Sequence, residues 1–166
     1  MKLLQHLFST WLLLIVAIVF SRCNSANDTR SFPDFEFMDT DSVLVNASDI
    51  PTEKGLLLIY FRSDCEHCHH TALQLKETFQ NISSTVWMVT GEDMDMIRLF
   101  EDMSGLYDFD ELKILRDYHH NMHTWFSFTS LPFIVLFDKN GKVLQTFEDL
   151  PNIATIDSLL HQVKPL

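Results

Sequence analysis

Residues 56–61, LLLIYF, are six consecutive apolar positions, bounded by Gly55 on one side and by Arg62-Ser63-Asp64 on the other. A run without alternation suits a strand covered on both faces, at the centre of a sheet. The polar break leads into Cys65-Glu66-His67-Cys68, followed by apolar residues at helical spacing. Asp64 is a good N-cap, which predicts a helix from Cys65 to about Gln80. Cys68, Ala72, Leu75 and Phe79 share one face of that helix, at steps of four, three and four, while His70, Gln74 and Glu77 share another. The second cysteine is therefore expected to face the core. The first is expected at the exposed N-terminal end.

That position matters chemically. A cysteine reacts as its thiolate, and at an ordinary pKa of about 8.5 little thiolate exists at neutral pH. Beside a helix N-terminus, an imidazolium and a second thiol, the pKa falls to roughly 3.5–7.5. The unsatisfied N–H groups and the positive end of the helix dipole point at the sulfur. Cys65 would then attack a partner, and Cys68, at C-x-x-C spacing, would resolve the mixed disulfide. Glu66 and His67 are the candidate tuning residues, and they oppose each other: the carboxylate disfavours a thiolate and a charged imidazole favours it. The motif alone leaves the potential open across the range of such couples, roughly −270 to −120 mV.

Two other chemistries share the motif. Zinc would need two further ligands beside Cys65 and Cys68; His119 and His123 have i, i+4 spacing, but they stand some fifty residues away, unlike a finger. The surface face of a short helix is the simpler account of His119, His120 and His123; His69 and His70, on the cysteine helix, read likewise as surface residues, with tuning of the electrostatics at the cysteines as their alternative role. CEHCH, residues 65–69, also fits the pattern for covalent haem attachment with His69 as axial ligand, yet its strand-rich setting is unlike a small helical cytochrome. A peroxidase with threonine three residues before the reactive cysteine is disfavoured, because Arg62 stands there. No metal and no cofactor is expected.

The rest of the chain alternates strand and helix signals, which argues an α/β sheet with parallel strands. Phe35-Glu36-Phe37, continued through Val43 and Val45, reads as one or two N-terminal strands. Residues 84–91 read as a strand, 92–103 as an acidic amphipathic helix carrying Ile97, Leu99 and Phe100, 112–117 as a strand and 118–126 as a short helix. After Leu131-Pro132, FIVLFD and KVLQTF form a hairpin with Asn140-Gly141 as its turn. A final helix covers about Ile153 to Val163.

Before all this stand Lys2 and an apolar run of ten, Trp11 to Phe20, too short to span a bilayer comfortably but suited to a secretory signal. Cys23 follows where a lipoprotein carries its lipidated cysteine, although Arg22 replaces the small residue usual before it. Lipidation at Cys23, cleavage after Cys23 or Ser25, and a retained anchor over Leu3 to Phe20 all remain open. Each places the folded part outside the cytoplasm. The division is thus a leader or anchor over 1–23, a polar tether over 24–33 and one domain over 34–166. A formal charge of −11 argues against nucleic acid as a partner, because no basic patch is present to meet phosphates.

The strand before CEHC, the helix after it, the later Leu131-Pro132 and the FIVLFDKNGKVLQTF hairpin occur in one order. In that order they resemble thioredoxin-fold thiol:disulfide oxidoreductases, and most closely the extracytoplasmic, membrane-tethered TlpA/ResA-like branch. The resemblance covers about Phe35 to Val163. It implies a central mixed sheet flanked by helices, an N-terminal β extension and an inserted helix and strand. It also implies a cis peptide at Pro132, packed against the disulfide, with Leu131 offering its backbone to a substrate strand. The implied partners are cysteine-containing extracytoplasmic proteins and an upstream redox partner, with reduction of apocytochrome or other client cysteines favoured over oxidative folding. Asp64 replaces the tryptophan usual before the first cysteine, Glu66-His67 replaces Gly-Pro, and Ile59 stands where thioredoxin has a buried aspartate. The alternative is a thioredoxin-like module that holds metal, haem or a client without turnover.

Overall fold

The computed structural model describes residues 32–162 except 52 and 110. The leader, Cys23 and the tether up to residue 31 lie outside the described residues. Strands β1 (Glu36–Met38) and β2 (Leu44–Asn46) precede β3 (Leu56–Tyr60), helix α1 (Glu66–Thr78) and β4 (Thr85–Thr90). Helix α2 (Met94–Ser104), β5 (Leu112–Arg116), α3 (Asn121–Phe126), β6 (Phe133–Phe137), β7 (Val143–Phe147) and α4 (Ile153–Gln162) follow.

The seven strands make one sheet in the order β2-β1-β5-β4-β3-β6-β7. β3, β4 and β5 run parallel, while β1, β2, β6 and β7 pair antiparallel with their neighbours. The sheet is therefore mixed. The β1–β2 hairpin is the N-terminal extension, and α2 with β5 forms the inserted helix and strand. β3 lies between β4 and β6, and all five of its residues are buried, as its unbroken apolar run requires.

Alternate residues of the central strands feed two cores. Leu57, Ile59 and Phe61 pack with Cys68, Ala72 and Leu75 of α1, Ile97 and Phe100 of α2 and Ile156 of α4. Leu56, Leu58 and Tyr60 pack on the other face with Phe35, Phe37, Trp87 and Met122 of α3. Full burial of such side chains contributes about 1.5–3 kcal/mol each. Both cores run the length of β3, and the first reaches, through Phe61 and Cys68, the end from which the Cys65 turn leaves.

Several expectations shift locally. Leu99 does not join the core with Ile97 and Phe100 but is half exposed, at 50 %. α2 ends at Gly105, whose φ of 65° is the left-handed C-terminal conformation that glycine adopts without penalty. The β6–β7 turn is closed by Asp138 rather than made by Asn140-Gly141 alone. Gly141 N–H donates to Asp138 O at 3.0 Å, and the Asp138 carboxylate accepts the N–H groups of Asn140 and Lys142 at 2.8 Å each. Only Gly141 of the Asn-Gly pair has positive φ, so this is not the two-residue turn with both residues left-handed.

Candidate active site

Helix α1 starts one residue later than its sequence suggests, and its cap is Cys65 itself. Cys65 is extended (φ −94°, ψ 113°), and its Sγ accepts the Cys68 N–H at 3.2 Å. Asp64 does not cap. Its carboxylate is bound by the Arg62 guanidinium at 2.6 Å, inside a turn closed by Cys65 N–H donating to Arg62 O at 3.3 Å. The helix also ends early, at Thr78, and passes into a 3-10 turn over Phe79–Asn81. The outcome puts the first sulfur at the helix N-terminus more directly than an aspartate cap would. It is the atom the dipole favours when negative.

Cys65 and Cys68 are joined as a disulfide, with Cα atoms 5.2 Å apart. Cys65 is half-buried and Cys68 fully buried, so the pair is asymmetric in access. The Leu131–Pro132 peptide is cis, with Pro132 buried and Leu131 half-buried. Leu131 O lies 3.8 Å from Cys65 Sγ. A disulfide sulfur has no proton to give, so this is a contact; a thiol at the same place has a proton and an acceptor within reach. Glu66 and His67 are both exposed, which weakens the charge of each by solvent screening. A groove of about 340 Å³ runs beside the cis peptide, lined by Phe128, Ser130, Phe133, Phe147 and Glu148 among others.

Glu92, on which no motif falls, and His69 hold this turn. Glu92, just after β4, accepts the Ser63 N–H at 2.6 Å through Oε2 and the Ser63 hydroxyl at 2.9 Å through Oε1. Thr90 Oγ1 donates to the same carboxylate at 3.3 Å. From the other side His69 Nε2 meets Ser63 O at 2.7 Å. A carbonyl only accepts, so Nε2 carries the proton. The His69 ring rests on Phe100, centroids 5.0 Å apart, and Phe100 packs in turn on Phe61 at 4.3 Å. His69 is thus not the surface bystander its position suggested. The only sequence signal for Glu92 is that an acid follows Gly91 at the end of a strand parallel to β3.

Among the described residues, His119, His120 and His123 do not join the cysteines as a cluster. Only His123 belongs to α3; its ring stacks on Phe128 at 4.1 Å and meets the Tyr60 ring edge-on at 5.3 Å. His119 and His120 precede the helix, so the helical i, i+4 pair is not formed. Among the described residues, no group of three or more His, Cys, Asp or Glu side chains is arranged to hold a metal ion. A cavity of about 630 Å³ lined by Phe79, Ser84, Trp87, Phe109 and Lys113 lies at the start of β4, the opposite end of the sheet from the dithiol.

A mixed sheet with a C-x-x-C disulfide at the start of the helix after its central strand, facing a cis-proline loop, defines a thioredoxin-like fold. Solved structures of that fold superpose on the chain at low identity. A thioredoxin-like protein from Porphyromonas gingivalis is 13% identical with a TM-score of 0.61, over 82% of this chain and 97% of its own. The thioredoxin domain of a thiol-disulfide oxidoreductase from Bacteroides vulgatus is 16% identical with a TM-score of 0.62, over 81% and 96%. A secreted Mycobacterium tuberculosis disulfide oxidoreductase homologous to E. coli DsbE is 15% identical with a TM-score of 0.58, over 78% and 94%. No protein-family model and no curated protein sequence matches the chain.

Proposed function

We propose that the chain is a thiol:disulfide oxidoreductase that exchanges disulfides with cysteines of extracytoplasmic proteins through Cys65 and Cys68. The observation that carries this reading is the half-buried Cys65 sulfur at a helix N-terminus, 3.8 Å from Leu131 O of the cis-proline loop, with Cys68 buried behind it. In the reducing direction the Cys65 thiolate attacks a client disulfide, forming a Cys65–client bond and releasing the client's other sulfur as thiolate. Cys68 then attacks Cys65 Sγ, closing the Cys65–Cys68 bond and expelling the second client thiolate. Two electrons pass from the dithiol to the client. Oxidation of a client is the reverse.

The groove beside Leu131 and Pro132 suits an extended client segment, which can pair with the Leu131 backbone as an added strand. Glu66 and His67 tune the couple only weakly in this reading, because both face water. Disulfide exchange with structural cysteines belongs to an oxidising compartment, which agrees with reading 1–23 as a leader, lipidated at Cys23 or retained as an anchor. The structural likeness to the secreted M. tuberculosis oxidoreductase also supports an extracytoplasmic setting.

The test is to trap the client. Cys68→Ser protein cannot release a mixed disulfide, so client adducts on Cys65 accumulate and dissolve on reduction, whereas Cys65→Ser gives none. A glutathione titration of the wild-type pair shows one reversible two-electron transition between about −320 and −100 mV. Neither adducts nor a transition would leave a binding module as the reading.

A further inference from the structure

We propose that Glu92 is a positioning residue for the dithiol: by gripping Ser63 it fixes the turn that presents Cys65, and its charge biases the Cys65–Cys68 couple toward the disulfide. This rests on the oxidoreductase reading above and assigns what sets its potential.

Ser63 is the first inner residue of the Arg62–Cys65 turn. A serine at such a corner ordinarily bonds to water. Here its N–H, its hydroxyl and its carbonyl are all taken, the first two by Glu92 at 2.6 and 2.9 Å and the third by His69 at 2.7 Å. The two clamping side chains come from different elements, the loop after β4 and helix α1, so the turn is tied both to the sheet and to the helix it starts. Hydrogen bonds to a carboxylate are roughly twice as strong as neutral ones. The grip therefore lies with Glu92 more than with His69.

The charge acts in one direction. Reduction of the Cys65–Cys68 bond takes up two electrons and one proton from solvent and leaves a thiol and a thiolate, or two thiols once a second proton is bound. The disulfide is neutral, whereas a thiolate at Cys65 is a new negative charge two residues from the one Glu92 holds against the turn. Glu92 is half-buried and so less screened than the exposed carboxylates of Asp64 and Glu66, of which Asp64 is also neutralised by Arg62 at 2.6 Å. The helix N-terminus favours the thiolate, and Glu92 opposes it through the turn; the other titratable groups around Glu92 are His69, the Tyr60 phenol at the end of β3 and the His120 ring packed on Gly91, and none of them is changed in the Glu92→Gln variant.

A glutathione titration of the full chain, wild-type and Glu92→Gln, decides this, together with the pH profile of Cys65 alkylation by iodoacetamide in the reduced protein. Glutamine keeps an oxygen acceptor for Ser63 and removes the charge. The expected result is an equilibrium shifted about tenfold toward the dithiol, about 30 mV more positive, and an alkylation profile moved to lower pH. Ser63→Ala, which keeps the backbone bond and loses the hydroxyl one, shifts the equilibrium less, and its effect is not additive with that of Glu92→Gln. A Glu92 that is merely structural would lower the thermal midpoint of both variants and leave equilibrium and profile at wild-type values, and that outcome overturns the proposal. Absence of any transition in the wild type defeats the oxidoreductase reading instead, so the two failures are separable.

Discussion

Tyr60 is the last residue of β3, and its surroundings reach the site from behind. Its ring is buried between His123 and Phe128, centroids 5.3 and 4.9 Å away. Burial, and after it the Asp117 carboxylate, push its phenol up to about 12. The sign follows from proton binding: between the ordinary tyrosine value of about 10 and the folded value, the unfolded chain has lost the proton and the folded one keeps it. The stability linked to Tyr60 is whole below pH 10 and is lost as pH rises toward 12. Urea unfolding of the oxidised protein at pH 8, 10 and 11 should therefore show a decline that is shallower in Tyr60→Phe. An equal decline in both would place the lost protons elsewhere.

At the scale of elements, α3 illustrates what sequence periodicity misses. The pattern over 118–126 suggests a helix from Tyr118, yet the helix begins at Asn121, because Asp117 turns its carboxylate forward. Asp117 Oδ1 accepts the Asn121 N–H and Oδ2 the Met122 N–H, each at 2.9 Å, while His120 takes a positive φ of 53°. Asp117 is fully buried, so nothing but these N–H groups and its neighbours offsets its loss of water. Asp117→Ala should cost about 1–2 kcal/mol in urea unfolding, in the range of a lost helix cap. Asp117→Asn, which keeps one acceptor, should cost less. The same limit applies to the site. β3, the cysteine helix, the late proline and the hairpin were legible, because each is written in contiguous residues: an apolar run, a C-x-x-C, a Leu-Pro, two strands around a glycine. The Ser63–Glu92 grip was not, because the partners stand 29 residues apart and meet only through the parallel register of β3 on β4. The cap was misplaced for a related reason, since Asp64 has the right chemistry for a helix start but is held by Arg62.

The whole molecule carries a formal charge of −11, and the potential around it extends over about a Debye length, roughly 8 Å at physiological salt. Small disulfides should feel it as they approach Cys65. Reduced protein should react faster with the dication cystamine than with the dianion of dithiodipropionate, by about tenfold at low salt, and the ratio should fall toward one in 0.5 M NaCl. A ratio indifferent to salt would mean that local contacts, not the field, govern the approach. The order of the sheet bears on how such a chain survives at concentration. Among the described residues, LLLIY, VWMV and FIVLF are the segments most apt to stack into fibrils, being apolar, uncharged and free of proline. All three lie in β3, β4 and β6, each between two neighbouring strands, so apart from Phe133 at the start of β6 their backbone is paired on both sides. The edges fall to β2, three residues long, and β7, with Gln145 and Thr146 exposed at its middle. Short or polar edges are poor templates for strand addition, so the segments that build the core are also the ones the topology withholds from aggregation.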